Sequence, residues 1–219
     1  MKKNVIIFGT KDLAQLAKFY FENDSDLTPV CFTVDRQFLV ETKFEGLPVI
    51  PFDEIEKLYP PANNLIFVPM TQSKMGFARK EKYLEAKAKG YQFASYISSH
   101  STYFGTSIGE NCFIFEDNTI QPFTKIGNNV VLWSGNHIGH HTVIMDHVFL
   151  TSHVVISGHC VIEPHCFFGV NSTVRDYTTV KEGTLVAMGA VISKQTEPYG
   201  VYFGAKQILK EGSKSTDMM

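Results

Sequence analysis

The sequence predicts a chain of two parts, an α/β N-terminal part followed by an all-β C-terminal part with parallel strands. Two observations support this fold class. In residues 1–98, short apolar runs alternate with helical patterns, as they do in parallel α/β sheets. From Ile108 to Ile192, a large apolar residue recurs at every sixth position. The 219 residues are enough for one large domain or two small ones.

The N-terminal part alternates strands with helices from its first residues. We expect strands at Asn4–Phe8, Pro29–Val34, Leu65–Val68 and Tyr91–Ile97, and helices at Leu13–Phe21 and Lys74–Lys89. This order predicts a Rossmann-like domain over residues 1–98, which would bind a ligand at the carboxyl ends of its strands. Gly9 and Asp35 follow the first two strands, but the pattern GxGxxG is absent. A nucleotide site and a plain turn with a capping residue therefore stay equally open.

A six-residue repeat decides the architecture of residues 99–195. Its anchors are Ile108, Ile114, Ile120, Ile126, Leu132, Ile138, Ile144, Leu150, Ile156, Ile162, Phe168, Val174, Val180, Val186 and Ile192. Small or short side chains predominate four residues after the anchors, and Cys112, Cys160 and Cys166 are among them. We interpret these cysteines as small buried hydrophobic residues. A period of six is neither that of a helix nor that of an ordinary amphipathic strand.

The period resembles that of the hexapeptide-repeat proteins, whose left-handed parallel β-helix takes three hexapeptides per coil. The resemblance implies about five coils, with the anchors inside a narrow prism and the small residues at its corners. A glycine follows the anchor at four places, Gly109, Gly127, Gly139 and Gly169. We expect these glycines to supply a positive φ at the corners, because glycine adopts that conformation without strain.

Three segments of the repeat carry a more specific resemblance. They are Asn136–Ile144, with His140 and His141 at its centre, Ile156–Cys160, which contains Ser157-Gly158, and Phe168–Ser172. With the α/β part before them, they make the chain similar to the hexapeptide-repeat sugar acetyltransferases. That family includes the sialic-acid O-acetyltransferases and the nucleotide-amino-sugar N-acetyltransferases of the bacillosamine and perosamine type. The resemblance implies that His140 is the catalytic base and that the Gly158 amide contacts the thioester carbonyl.

The same resemblance implies the remaining site residues. Support for His140 is expected from His141, Asn136 and Ser134. The acetyl-CoA groove is expected to include Gly158, Val170, Asn171, Met188, Gly189 and Ala205, and the nucleotide-sugar site Gly9, Thr10, Lys11, Asp35 and Arg36. The chain departs from the family pattern at three places. His141 stands where an acidic residue is usual, Lys11-Asp12 stand where glycines and a histidine are usual, and Gly204-Ala205-Lys206 replace G-x-P-A.

The family's mechanism is a direct transfer from acetyl-CoA, the co-substrate, to a nucleotide-sugar. The amine or hydroxyl of the sugar attacks the thioester while His140 takes its proton, and no acyl-enzyme forms. Imidazole suits this role because it titrates close to neutral pH. The cleft is expected between neighbouring β-helices of a homotrimer, because a single flat prism buries little surface alone.

Composition excludes several other classes of function. The net charge is -2, which gives no general attraction to nucleic acid. No apolar stretch approaches the roughly 18 residues of a membrane span, so we expect no membrane insertion. The first apolar run stops at Gly9, too early for a signal peptide. The four cysteines form no CxxC pair and are expected to be reduced thiols of a cytoplasmic protein. Residues 196–219 form a polar tail that is expected to be partly disordered.

The histidines raise the question of a metal. Seven of the eight lie in residues 137–165, and the repeat places His141 above His159 and His147 above His165. We expect mostly polar surface or interface residues and no metal, because the usual four-ligand spacings are absent. Two alternatives to the nucleotide-sugar acetyltransferase stay open. One is an O-acetyltransferase of a free or lipid-linked sugar, and the other is a metal-binding or assembly β-helix protein without acyltransferase activity.

Overall fold

The computed structural model describes residues 3–104, 106–205 and Thr216. The N-terminal sheet contains β1 (Lys3–Phe8), β2 (Leu27–Val34), β3 (Lys43–Phe44), β4 (Leu47–Pro51), β5 (Asn64–Phe67) and β6 (Gln92–Phe93). The helices are α1 (Asp12–Asn23), α2 (Ile55–Leu58) and α3 (Phe77–Ala88). The strand order is β3-β4-β2-β1-β5-β6, and its pairs are parallel except for the short β3–β4 hairpin. The predicted parallel α/β arrangement is confirmed.

Two of the predicted elements differ in extent. Helix α3 begins at Phe77 rather than at Lys74, because Lys74, Met75 and Gly76 have φ values of 50°, 54° and 76°, which no right-handed helix accommodates. The expected strand Tyr91–Ile97 is two short strands in different sheets. Its first half, β6, ends the α/β sheet. Its second half, Tyr96–Ile97, begins the β-helix.

The β-helix consists of two-residue strands that recur every six residues. They are β7 (Tyr96–Ile97), β8 (Thr102–Tyr103), β9 (Ser107–Ile108), β10 (Phe113–Ile114), β11 (Thr119–Ile120), β12 (Lys125–Ile126), β13 (Val131–Leu132), β14 (His137–Ile138), β15 (Val143–Ile144), β16 (Phe149–Leu150), β17 (Val155–Ile156), β18 (Val161–Ile162), β19 (Phe167–Phe168), β20 (Thr173–Val174), β21 (Thr179–Val180), β22 (Leu185–Val186), β23 (Val191–Ile192) and β24 (Val201–Tyr202). Every anchor of the repeat is the second residue of such a strand.

The strands stack into three parallel sheets that form the sides of a prism. Sheet I contains β7, β10, β13, β16, β19, β22 and β24, sheet II contains β8, β11, β14, β17, β20 and β23, and sheet III contains β9, β12, β15, β18 and β21. The anchors fill the interior in one continuous apolar cluster. The stacked parallel sheets and the six-residue period fit the left-handed β-helix that the sequence predicts.

Each corner of the prism is named by the two sheets that it joins. The third residue after an anchor occupies the corner, and it has a positive φ in nearly every coil. The II–III corner contains Phe123, His141, His159 and Tyr177, the III–I corner Asn111, Asn129, His147, His165 and Gly183, and the I–II corner Asp117, Gly135, His153, Asn171 and Gly189.

The glycines that follow the anchors have another role than the expected one. None of Gly109, Gly127, Gly139 and Gly169 has a positive φ among the described residues. A Cβ atom on Gly139 would instead lie 2.5 Å from the Gly158 nitrogen of the next coil, and one on Gly169 would lie 2.4 Å from the Met188 nitrogen. Glycine is therefore required at these positions because successive coils approach each other closely.

Sheet I attaches the β-helix to the α/β part. Phe113, Phe115 and Phe149, in or beside its strands, share one apolar cluster with Val5 and Phe21. The opposite edge of the prism, the II–III corner, does not border sheet I. Among the described residues, the two halves of the molecule therefore pack through sheet I and the two corners that flank it. The predicted disorder of the tail concerns mainly residues 206–215 and 217–219, which lie outside the described residues.

Candidate active site

His140 lies next to the II–III corner and is exposed. The turn that follows β14 presents it, and the coils on both sides hold its backbone. Its N–H donates to Gln121 Oε1 at 2.9 Å, and its carbonyl accepts the His159 N–H at 2.9 Å. Gln121 escaped the sequence analysis because it lies 19 residues earlier. The 18-residue period of a coil is the signal that could have revealed it as a neighbour.

The imidazoles of His140 and His141 form a pair. Their Nδ1 atoms are 3.0 Å apart, a hydrogen-bond distance, so one nitrogen donates and the other accepts. When His140 is the donor, its Nε2 carries a free lone pair and can accept a proton from a substrate. His141 then occupies the accepting role that a carboxylate would otherwise fill.

Gly158 lies directly beside the His140 ring. A Cβ atom on Gly158 would be 3.0 Å from His140 Cε1 and 3.1 Å from His140 Nε2. At the equivalent place in other coils, a side chain caps the backbone N–H, as Asn128 caps Glu110 at 3.0 Å. Within residues 3–104 and 106–205, no acceptor takes the Gly158 N–H. A proton acceptor and an amide donor without a partner among the described residues thus belong to adjacent residues, and such a donor can stabilise negative charge on an oxygen.

Four aromatic rings form a column along the II–III corner. His141 stacks on His159 with centroids 4.8 Å apart, and His159 stacks on Tyr177 at 4.7 Å. Phe123 covers the other side of His141 at 4.7 Å. The predicted stacking of His141 on His159 is confirmed. One candidate nitrogen each from His140, His141 and His159 lies within 4.8 Å of the others.

The second predicted stack, His147 and His165, also exists, with centroids 4.9 Å apart. These two residues are not on the surface, as the sequence suggested. They are buried, because the III–I corner faces α3, where His165 stacks on Phe77 at 4.1 Å. Burial lowers the pKa of His147 to about 4, and it lowers the pKa of His165 in the same direction.

Two of the expected supporting residues lie away from His140. Asn136 is buried inside the prism, where its amide donates to the Trp133 carbonyl and accepts from the Val154 N–H. Ser134 donates to Glu116 at 2.9 Å and lies beside the I–II corner. These contacts give both residues a part in the fold, and within residues 3–104 and 106–205 neither forms a hydrogen bond with the His140 ring.

Most of the expected coenzyme residues cluster at the I–II corner of the last coils. Val170 and Gly189 are joined by a hydrogen bond of 2.9 Å from the Gly189 N–H to the Val170 carbonyl. Met188 is 73% exposed, and Asn171 and Ala205 are also exposed. Gly158 is the exception, because it belongs to the II–III corner. Sheet II separates this cluster from Gly158.

The α/β part contains a cavity of about 630 Å³ at the carboxyl ends of β1 and β2. Four of the expected nucleotide-sugar residues line it together, namely Gly9, Thr10, Lys11 and Asp35. Gly9 has a φ of 104°, so it also forms the tight turn that the sequence analysis gave as the alternative to a nucleotide site. Asp35 is paired with Lys82 at 2.7 Å. Phe38 and Val40 complete the apolar wall, and no periodicity in their loop could have revealed them.

Arg36 lies outside this cavity. Its guanidinium pairs with Asp53 at 3.0 Å and with Glu54 at 2.9 Å. The hydrogen bond with Arg36 lowers the pKa of Asp53. Arg36 lines a second, charged cavity that shares Asp35 and Gln37 with the first.

Among the described residues, no helix is both long and apolar enough to cross a membrane. The four cysteines are free and buried.

Comparisons with known proteins agree with this fold. Residues 105–140 and 123–158 match the model of the bacterial transferase hexapeptide (six repeats), and residues 160–194 match the hexapeptide repeat of succinyl-transferase. The comparison with curated proteins finds no match.

Several solved structures superpose on nearly the whole chain. A mutant perosamine N-acetyltransferase from Caulobacter crescentus, in complex with CoA and GDP-perosamine, gives a TM-score of 0.83 at 16% identity, over 92% of this chain and 93% of that one. The acetyltransferase domain of PglB from Neisseria gonorrhoeae gives 0.78 at 19%, over 92% and 97%. WeeI from Acinetobacter baumannii gives 0.73 at 19%, over 91% and 95%. The family models confirm the predicted hexapeptide repeat, and the solved structures confirm the fold that the resemblance implies.

Proposed function

We propose that this hexapeptide-repeat protein is an acetyl-CoA-dependent acetyltransferase that acts on the amine of a nucleotide-linked amino sugar. The observation that carries the proposal is the contact between His140 and Gly158, which places a proton acceptor beside an unused backbone donor. The solved structures of similar fold support the choice of substrates, because one is in complex with CoA and GDP-perosamine and another with acetyl coenzyme A.

The reaction follows from the two groups at the II–III corner. The sugar amine attacks the thioester carbonyl of acetyl-CoA, and the C–N bond forms as His140 Nε2 takes the amine proton. The Gly158 N–H donates to the oxygen on which negative charge develops, a contact that contributes about 3–4 kcal/mol in comparable sites. The C–S bond then breaks, and the proton on His140 passes to the departing thiolate. The general base accounts for roughly 10²–10⁴-fold in rate.

His141 is a positioning residue in this mechanism. By accepting the hydrogen bond from His140 Nδ1, it selects the tautomer of His140 whose Nε2 is free. A protonated His141 would donate in that pair instead, and the proton of a neutral His140 would then reside on Nε2. The base is therefore active only while His141 Nδ1 accepts the hydrogen bond from His140 Nδ1. Asn136 and Ser134 act on the site only through the coil geometry.

The coenzyme is held between neighbouring β-helices. A molecule that touches Gly158 at the II–III corner and Val170 or Met188 at the I–II corner lies across sheet II. Val155 and Val191, on the outer face of this sheet, are 37% and 69% exposed. A second β-helix packed over this face would enclose the pantetheine arm and exclude water.

The nucleotide-sugar occupies the 630 Å³ cavity of the α/β part. In this proposal residues 1–98 are a Rossmann-like nucleotide-sugar domain, residues 99–195 the acyltransferase domain and residues 196–219 a tail. The N-terminus of α1 follows Lys11 at the cavity, where free backbone N–H groups and the lysine favour phosphate. The unpaired Asp35 oxygen can accept from a ribose hydroxyl. Arg36 contributes to this site only through its position beside Asp35.

The first experiment measures thiol release from acetyl-CoA in the presence of a panel of nucleotide-linked amino sugars. We expect release with one acceptor and a loss of roughly 10²–10⁴-fold in kcat for His140→Ala. The matched control is His153→Ala, which alters an exposed corner histidine of another column. Unchanged turnover in His140→Ala would refute the assignment of the base. Thiol release only with acceptors whose reactive group is a hydroxyl would show that the reaction is O-acetylation and not N-acetylation.

A further inference from the structure

Three imidazoles converge at the II–III corner, more than the proposed reaction uses. His140 serves as the base and His141 positions it, but His159 has no part in the transfer. One ring nitrogen from each of the three lies within 4.8 Å of the other two. His140 and His141 are exposed and His159 is half-buried, so all three can be reached from solvent.

We propose that His140, His141 and His159 form a binding site for a divalent transition metal ion of the zinc type, and that the bound ion switches the enzyme off. The inhibitory half of the proposal rests on the proposed function, because an ion on His140 Nδ1 leaves the ring proton on Nε2, the nitrogen that would accept the substrate proton. The binding half depends only on the geometry of the three rings.

The ligand set determines which ions fit. Neutral imidazole suits zinc, copper, nickel and cobalt, whereas magnesium and calcium require oxygen ligands, and the set contains none. Three protein ligands leave a fourth position for water, as in open zinc sites. Each imidazole keeps its proton on the nitrogen that does not bind the metal. The ion replaces the hydrogen bond that now joins the two Nδ1 atoms.

The rings need only small adjustments to bind an ion. With Zn–N bonds of about 2.0–2.1 Å, ligand nitrogens in a tetrahedral site are roughly 3.4 Å apart. The His140 and His141 Nδ1 atoms are 3.0 Å apart, and the candidate nitrogens of the cluster all lie within 4.8 Å of one another. Rotation of exposed side chains about their χ angles covers this difference. The stacking between Phe123 and Tyr177 keeps His141 and His159 on the same column.

The other histidines and cysteines are either buried or belong to no group of three candidate ligands among the described residues. The four cysteines are buried. His147 is bonded to Asn129 at 3.0 Å, and His165 is packed against Phe77 in the buried III–I corner. A metal titration of the intact protein therefore reports mainly on the exposed cluster.

The test compares the full-length protein with His159→Phe and with a matched control, His153→Phe. Phenylalanine is compatible with the corner backbone, because Phe123 has a φ of 66° in the same column. His159→Phe keeps the aromatic column and removes one ligand, whereas His153→Phe makes the same change at a corner without a neighbouring imidazole. Binding of Zn²⁺ alone is measured by calorimetry, and Co²⁺ absorption reports the coordination number.

We expect one Zn²⁺ per chain and a loss of affinity of roughly tenfold or more in His159→Phe, since even outer partners of metal ligands matter by 10–100-fold. Acetyl transfer without metal should stay within about twofold in that variant, and the zinc concentration for half-inhibition should rise at least as much as the Kd. Equal affinity in wild type, His159→Phe and His153→Phe would overturn the site. Because calorimetry needs no substrate, its result is independent of whether the proposed reaction is correct.

Discussion

Corner residues of the β-helix explain why the chain contains so many histidines. His141, His147, His153, His159 and His165 all have φ values between 58° and 66°. Asparagine, aspartate and histidine tolerate this left-handed conformation better than most residues, and Asn111, Asp117 and Asn129 occupy equivalent corners. The backbone therefore favours histidine at five successive corners from 141 to 165, and the chemistry of the II–III corner is built on that preference.

At the residue scale, Gly158 is the sharpest test of the site. Its φ is not positive among the described residues, so alanine is compatible with the backbone. The added Cβ, however, would stand 3.0 Å from His140 Cε1 and 3.1 Å from Nε2, and the ring would have to move. We expect Gly158→Ala to lower kcat by roughly tenfold, because the ring must give by a few tenths of an ångström, whereas a displacement of about 1 Å costs roughly 10²-fold. Steady-state kinetics with saturating acetyl-CoA measures it.

The control for this prediction is Ser157→Ala, at the preceding residue. The described contacts of Ser157 are backbone hydrogen bonds, and alanine preserves them. We expect activity within about twofold of wild type and equal thermal stability in both variants. If Gly158→Ala retained full activity, the His140 ring would not be held where the mechanism requires it.

At the scale of elements, the sequence predicts the β-helix far better than the α/β part. Each anchor from Ile108 to Ile192 points into the prism. This follows from the period, because residues six positions apart have the same orientation in successive strands. The same period predicts the stacking of His141 on His159, and the structure shows it. The predicted start of α3 at Lys74 was wrong. The true start depends on the left-handed backbone at Lys74 and Met75, which neither the charge nor the hydropathy pattern reveals.

The candidate site was only partly predictable, because the sequence reveals contacts that follow the six-residue repeat and does not reveal contacts that depend on aperiodic segments. His140 and Gly158 are 18 residues apart, one coil, so their contact follows from the repeat. The burial of His147 depends on how α3 packs against the III–I corner, and the repeat carries no information on that. Phe38 and Val40 of the cavity lie in a loop without periodicity.

The buried groups of the III–I corner predict how the free energy of unfolding depends on pH. Asn111, Asn129 and His147 form a buried ladder, in which Asn111 Nδ2 donates to Asn129 Oδ1 at 2.8 Å and Asn129 Nδ2 lies 3.0 Å from His147 Nδ1. Arg79 of α3 is fully buried and donates to the His147 carbonyl at 2.9 Å. Desolvation, with the nearby His165, lowers the pKa of His147 to about 4.

Because the unfolded chain binds this proton near the ordinary pKa and the folded chain does not, the free energy of unfolding should fall as the pH drops from about 6.5 to 4. The full shift corresponds to about 3 kcal/mol. We expect His147→Asn, which extends the asparagine ladder, to flatten this dependence. Urea denaturation at fixed protein concentration measures it, with the exposed His153→Asn as the control. An equally steep dependence in His147→Asn would contradict the assignment.

At the scale of the whole molecule, the two halves of the proposed site face different directions. The nucleotide-sugar cavity adjoins sheet I, through which the α/β part packs, and Trp133 and Phe149 line a neighbouring cavity with Gly9 and Lys11. His140 lies at the II–III corner, the one corner that does not touch sheet I. A sugar bound in the cavity of one chain therefore reaches a His140 only if another chain supplies it.

This separation predicts complementation between two inactive variants. His140→Ala removes the base, and Lys11→Glu places a negative charge where the phosphates would bind. If the protein is a homotrimer whose site lies between chains, a mixed trimer with both kinds of chain contains one site with an intact base and an intact cavity, so it should show roughly a third of wild-type activity. Co-expression with two affinity tags yields the mixed oligomers for the thiol-release assay. A site confined to one chain would leave every mixed oligomer as inactive as its parents, and the shared-site arrangement would then have to be abandoned.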